Sequence, residues 1–181
     1  RMEVAFDAAT FIRSSVEEVR NTLLQALLLV LLVNWLFLGK LRLALIPAGT
    51  IPVSLLGALA LLDAMGFSLN VLTLLGLILA IGLVVDDAIV VLENVYRHLQ
   101  MGKSAMRAAK DGTAEVGFAV IATTAVLVAV FVPLGYMPGS VGRLFSEFSL
   151  TVAGSVLLSS VVALTLCPVL AALILRPLAS G

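Results

Sequence analysis

The stretch VLTLLGLILAIGLVVDDAIVVL, Val71 to Leu92, decides the fold class of this chain. It is long enough to cross a bilayer, whose hydrocarbon core takes about 20 residues of helix. Its polar residues are Thr73, Asp86 and Asp87 alone. Only helices and closed barrels satisfy their backbone hydrogen bonds in lipid, and this run is too long and continuous for a barrel strand. The sequence therefore predicts an all-α membrane protein.

The composition of the whole chain supports this prediction. Of its 181 residues, 61% are hydrophobic and 12% are charged, and the mean hydropathy is +1.18. Soluble domains are usually about 45–50% apolar and about 25% charged. The 11 basic and 11 acidic residues balance, so nothing indicates a nucleic-acid partner. The single cysteine, Cys167, excludes an intrachain disulfide and is expected to pack as a small apolar residue.

Apolar runs and turn residues divide the chain into five predicted membrane helices. A capping-box spacing from Ser14 to Glu17 indicates that the first helix begins in water. The predicted segments are the end of an outer segment at 1–13, helices at 14–39, 44–62, 68–95, 113–135 and 147–176, and a loop at 96–112 that carries a short surface helix. The missing initiator Met and the odd number of helices lead us to expect a piece of a longer chain.

The distribution of lysine and arginine predicts how these helices are oriented. Short cytoplasmic loops of membrane proteins carry an excess of these residues. One side of the predicted bundle holds Lys40, Arg42, Arg97, Lys103, Arg107, Lys110 and Arg176, whereas the other holds Arg1, Arg13, Arg20 and Arg143. We therefore expect the N-terminus outside the cytoplasm and the C-terminus inside.

Two adjacent acids, Asp86 and Asp87, interrupt the deciding run. An aspartate at the centre of a membrane helix costs about 2.5–3.5 kcal/mol on insertion scales. Neighbouring side chains are about 100° apart around a helix, so Asp87 shares a face with Gly76 and Ala80, and Asp86 stacks over Gly82. Gly76 and Ala80 form a small-xxx-small pair that lets another helix approach closely. The pattern predicts that both aspartates face a packed interior.

No positive charge in the chain is placed to neutralise these carboxylates. All 11 basic residues flank the apolar runs, and none lies within one. Hydroxyls of Thr123, Thr124 and Ser155 could donate hydrogen bonds as polar support, but they cannot neutralise a charge. We therefore expect the counter-charge outside this chain. Two interpretations remain open here: a proton carrier, or a structural pair in a watery vestibule or bonded to neighbouring hydroxyls.

The remaining polar residues predict little chemistry. His98, the only histidine, follows the third helix and is expected to be solvated, and Asn94 is an ordinary polar residue at the membrane boundary. No metal-ligand spacing, phosphate loop or nucleophile motif is present in the sequence. The sequence thus predicts that the protein is not an enzyme.

Four segments carry a resemblance to a known family. They are LFLGKLRLALIPAGTIPVSLLGA, GFSLNVLTLLGLILAIGLVVDDAIVVLENV, AVFVPLGYMPGSVGRLFSEFSLTV and ALTLCPVLAALIL. The chain resembles the resistance-nodulation-division (RND) efflux transporters from about Phe11 to Pro177, and the paired acids are similar to the hydrophobe/amphiphile, multidrug branch. The resemblance implies transmembrane helices two to six in the N-terminal half of a twelve-helix domain.

That resemblance also implies a function. Asp86 and Asp87 correspond to the proton-relay acids of a proton/drug antiporter, with the proton as coupling ion and no other cofactor. The lysine and arginine partners belong to the second half of the same transporter. The family implies a homotrimer in the bacterial inner membrane, joined to a periplasmic adaptor and an outer-membrane channel, with a periplasmic N-terminus and a cytoplasmic C-terminus here. As a fragment, the chain is expected to be inactive alone.

Two rival functions belong to other classes. A sterol-sensing-like module would use five such helices to bind membrane lipid, without need of an acid pair. An intramembrane aspartyl protease would need its two acids to face each other from separate helices, whereas Asp86 and Asp87 are neighbours on one helix. The acid pair therefore favours the transporter.

Overall fold

In a computed structural model, residues 41–68 and 70–175 are described, together with isolated positions between 17 and 36. The described ranges contain four helices and no strand, which confirms the all-α prediction: α1 is Leu41–Ala64, α2 is Val71–Gln100, α3 is Ala105–Gly135 and α4 is Gly139–Ile174. All four contain a window apolar and long enough to cross a membrane. The helix predicted at 14–39 falls largely outside the described residues; its described positions are helical and exposed.

The turn between α1 and α2 is closed by a glycine. Gly66 has a φ of +72°, a conformation that residues with a Cβ rarely adopt. Its backbone N–H donates to the carbonyl of Asp63, and the N–H of Phe67 donates to that of Leu62, both at 3.0 Å. These are the two hydrogen bonds of a Schellman motif, in which the orphan carbonyls of the helix end are satisfied.

Asn70 caps the N-terminus of α2, the helix that carries the acid pair. Its side-chain oxygen accepts hydrogen bonds from the backbone N–H groups of Leu72 and Thr73, at 2.9 and 3.0 Å. The Thr73 hydroxyl in turn accepts from the Asn70 N–H at 2.9 Å, which completes a reciprocal capping box. The Asn70 amide also donates to Glu147 of α4. The start of α2 is therefore tied to α4.

The helix α3 differs from the prediction for this part of the chain. In place of a short surface helix inside a loop at 96–112, a four-residue turn at 101–104 leads into one continuous helix, Ala105–Gly135. Gly112 lies within this helix and packs against the backbone of α2. At about 1.5 Å per residue, the 31 residues of α3 span about 46 Å. Because the hydrocarbon core is about 30 Å thick, the polar end at 105–115 extends beyond it.

Helix α4 is the central element of the described bundle, because it packs against α1, α2 and α3 while α1 and α3 do not touch. It begins at Gly139, before the predicted bound of 147. Its covered face consists mainly of small side chains, including Ser149, Ala153, Ser155, Ser159, Ala163, Cys167 and Ala171. The Cys167 thiol donates to the backbone carbonyl of Ala88 at 3.5 Å. Small residues therefore bring α2 and α4 close together.

Candidate functional site

Asp86 lies on a face of α2 that no described helix covers. The exposed residues of this face recur at helical spacing as Leu75, Leu79, Gly82, Asp86 and Val90. A Cβ built at Gly82 meets no described atom within 4 Å. The prediction that both acids face a packed interior is therefore wrong for Asp86 within the described segment. The helices that could cover this face are not among α1, α3 and α4.

Asp87 lies at the border between the covered and the uncovered faces of α2, and it is half-buried. On its side of the helix, a Cβ at Gly76 would come within 3.1 Å of the Phe148 carbonyl oxygen and of the Thr151 methyl group in α4. Ala80 is also buried. The predicted close approach at the Gly76 and Ala80 pair is thus confirmed, and it places Asp87 beside the α2–α4 interface.

Neither carboxylate has a partner in the part of the chain that the structure describes. The three salt bridges formed by described residues all lie where the C-terminal end of α2 meets the N-terminal end of α3. No hydrogen bond between described residues involves Asp86 or Asp87. The expectation that the counter-charge lies outside this chain stays a prediction.

The three hydroxyls named as polar support are not bonded to the acid pair. Thr123 and Thr124 both donate to the backbone carbonyl of Val120, at 2.9 and 2.8 Å, within their own helix. The Ser155 hydroxyl is buried without a hydrogen-bond partner. It lines a small cavity between α1, α2 and α4 together with Ser54 and Ala80. Ala80 precedes Asp87 by about two turns, so Ser155 does not reach the carboxylates.

A polar cluster that was not predicted joins the end of α2 to the start of α3. The buried Asn94 amide donates to the Gly112 carbonyl oxygen at 2.7 Å and to the Glu115 carboxylate at 3.3 Å. Arg97 also donates to Glu115, and His98 Nε2 lies 2.7 Å from the same carboxylate. The Glu115 carboxylate is therefore contacted by three side chains that share one face of α2.

Lys103 extends this cluster through the turn between the helices. Its ammonium group lies 2.8 Å from His98 Nδ1 and 2.6 Å from an Asp111 carboxylate oxygen. The His98 side chain is only 11% exposed, so the expectation that it is solvated is wrong. The i, i+3, i+4 spacing of Asn94, Arg97 and His98 places them on one face, and this spacing could have indicated the cluster. It could not have identified Glu115 as their common partner.

Comparison with known proteins assigns the family. The profile of the AcrB/AcrD/AcrF family matches residues 1–181, the whole chain. The chain belongs to this family. The membership confirms the resemblance to RND transporters that VDDAIVVLENV and its neighbouring segments indicated.

Three known proteins are similar to this chain along almost its entire length. An uncharacterized transporter of Haemophilus influenzae is 50% identical over 174 residues, which is 96% of this chain. The multidrug resistance protein MdtC of Pantoea ananatis is 48% identical over 176 residues, and MdtC of an Escherichia coli strain is 47% identical over 175, each 97% of this chain. The chain spans 17% of the length of each of these relatives.

Proposed function

We propose that this chain is the proton-relay portion of a proton-driven RND multidrug efflux antiporter. The observation that carries the proposal is the place of Asp86, on the one long face of α2 that the other described helices leave open. Family membership makes the protein a transporter segment, and the names of the MdtC relatives support multidrug efflux.

The two aspartates carry an energetic cost inside a membrane. A bare aspartate facing lipid near the bilayer centre is disfavoured by about 2.5–3.5 kcal/mol. The cost falls if a further helix covers the open face and places an ammonium or guanidinium group beside the carboxylates. In this proposal the second half of the same transporter supplies that lysine and arginine. The opening at Gly82, one turn from Asp86, offers room for a close helix contact.

The relay follows from this arrangement. When Asp86 or Asp87 takes a proton, its negative charge is lost and its attraction to the cationic partner ends. The covering helix can then shift relative to α2, and deprotonation restores the first arrangement. Because Asp87 borders the α2–α4 interface and Asp86 faces outward, the pair couples the packed bundle to its missing partner. The proton is the coupling ion, and protonation of these carboxylates needs no other cofactor.

The proposed setting is the bacterial inner membrane, with the N-terminus of this segment periplasmic and the turn at 101–104 cytoplasmic. The basic residues Arg97, Lys103, Arg107 and Lys110 lie together at that turn, which supports this orientation. In the full transporter we propose a homotrimer that works with a periplasmic adaptor and an outer-membrane channel. The segment alone lacks the counter-charge, so we propose that it transports nothing by itself.

The test uses the full-length transporter in cells that depend on it for drug resistance. We expect Asp86→Asn and Asp87→Asn each to abolish efflux of a fluorescent substrate while the protein remains inserted in the membrane. Asp63→Asn is the matched control, because Asp63 is an exposed acid at the α1 end, away from the pair. Efflux at the wild-type rate by either variant at position 86 or 87 would overturn the proposal. An equal loss of efflux in Asp63→Asn would show instead that the transporter is sensitive to the removal of any of these acids.

A further inference from the structure

An apolar groove runs between the polar end of α3 and the C-terminal part of α4. Its volume is about 600 Å³. The walls are formed by Met106, Ala109 and Ala114 from α3 and by Leu164, Pro168 and Ala172 from α4. Three of these six residues are alanines, whose short side chains leave space between the two helices unfilled. No residue of α2, the helix that carries Asp86, lines the groove.

The mouth of this groove carries polar groups among the apolar walls. Lys110 and Thr113 also line it, one turn apart on α3. The Thr113 hydroxyl is buried and has no hydrogen-bond partner in the described part of the chain. Because this oxygen is inaccessible, Lys110, which is exposed, is the polar group of the groove that a ligand can reach.

The mouth also has more positive than negative charge. The two acids at this end of α3, Asp111 and Glu115, are already engaged by Lys103 and by Arg97 and His98. Among the described residues, Lys110 and its neighbour Arg107 form no salt bridge, and both are exposed. An anion at the mouth is therefore favoured over a neutral or cationic group.

We propose that this groove binds one anionic phospholipid. An acyl chain fills the apolar space between α3 and α4, and the phosphate lies against Lys110, with Arg107 close by. Because residues 105–115 extend beyond the hydrocarbon core, Lys110 is placed at the depth of lipid headgroups. Only the assignment of the mouth to the cytoplasmic leaflet rests on the proposed orientation.

Photolabelling of the full-length transporter tests this proposal. The protein is placed in phosphatidylcholine nanodiscs that contain either phosphatidylglycerol or phosphatidylcholine with a photoreactive acyl chain, and labelled peptides are identified by mass spectrometry. We expect phosphatidylglycerol to label the groove segments of α3 and α4 preferentially. Because one basic residue contributes about 1 kcal/mol to anionic lipid binding, Lys110→Gln should lower that labelling about fivefold. Lys110→Arg should retain it.

A second pair of variants separates the apolar walls from the charge. Ala172→Leu fills the groove and should abolish the preferential labelling without removing any charge. Ala122→Leu is the matched control, since Ala122 is exposed on α3 and does not line the groove. Equal labelling by the two lipids, or labelling unchanged in Lys110→Gln and Ala172→Leu, overturns the proposal. So does capture of a protein segment instead of lipid by a photoreactive residue at Met106.

The outcome of the lipid-labelling experiment is independent of the proposed proton relay. Asp86→Asn should keep the lipid labelling although we expect it to lose efflux. If labelling fails while Asp86→Asn still abolishes efflux, the lipid site alone is wrong. If labelling holds while Asp86→Asn exports drug normally, the relay alone is wrong.

Discussion

The Asn94 side chain of α2 donates a 2.7 Å hydrogen bond to the backbone carbonyl of Gly112 in α3. This bond is possible because Gly112 has no Cβ: one built there would lie 2.8 Å from the Cα and 2.9 Å from the N of Val95. The obstructing atoms are backbone, so a larger residue at 112 can be accommodated only if the helices separate. Helix α2 is therefore held against α3 by direct contact of two backbones, about two turns from the acid pair.

Gly112→Ala in the full-length transporter should lower its stability in detergent. Overpacking of this kind costs on the order of 1–3 kcal/mol. Gly117→Ala is the matched control on the same helix, because a Cβ there would only come within 3.9 Å of Leu164. Alanine favours helix over glycine by about 1 kcal/mol, so the control should be neutral or stabilising. The measurement is the midpoint of thermal unfolding; equal midpoints for both variants would contradict the backbone contact.

Substitutions in the polar cluster should rank by burial rather than by charge. Asn94→Ala removes a buried hydrogen bond and should destabilise by about 1–2 kcal/mol. Arg97→Ala breaks a salt bridge whose partners are 52% and 49% exposed, so its effect should be below about 1 kcal/mol. The two residues lie one turn apart on α2, which makes them a matched pair. Unfolding in increasing denaturant would show the ranking, and a larger loss for Arg97→Ala would refute it.

The N-caps of α2 and α3 give a third prediction. Asn70→Ala should destabilise the protein by about 1 kcal/mol, because two backbone N–H groups lose the side-chain oxygen that they donate to. Ser104→Ala should have a smaller effect, since the Ser104 side chain makes no cap hydrogen bond. Thermal unfolding of the two variants compares them directly. The interpretation of Asn70 as a working cap fails if the Ser104 variant is the less stable one.

The open face of α2 gives a prediction about the full transporter. Gly82→Phe adds a large side chain where the described helices leave space, so it should leave the packing of α1 to α4 intact. If a further helix covers this face, the same substitution should abolish efflux while membrane insertion is kept. Ala122→Phe on the exposed side of α3 is the control and should leave efflux largely unchanged. Normal efflux by Gly82→Phe would show that the face stays open in the working protein.

Some of these features followed directly from local sequence. The apolar run at Val71–Leu92 exceeds what a bilayer requires, and lipid leaves helices as the solution for such a run, so the fold class needed no tertiary information. The Gly76 and Ala80 pair predicted a close helix contact without tertiary information, because the absence of bulky side chains is a property of the residues themselves. The expectation that the counter-charge of Asp86 and Asp87 lies outside this chain also came from counting residues, since all 11 basic residues flank the apolar runs.

Other features depended on which helix lies beside which. Adjacent residues such as Asp86 and Asp87 point about 100° apart, yet the sequence pattern predicted a packed interior for both. Only the packing of α4 along the Gly76 side decided that Asp86 faces outward. Likewise, Asn94, Arg97 and His98 share a face by spacing, but their partner Glu115 is known only from the close approach of α3 at Gly112. Periodicity determines the faces of a helix, whereas long-range contacts determine what each face meets.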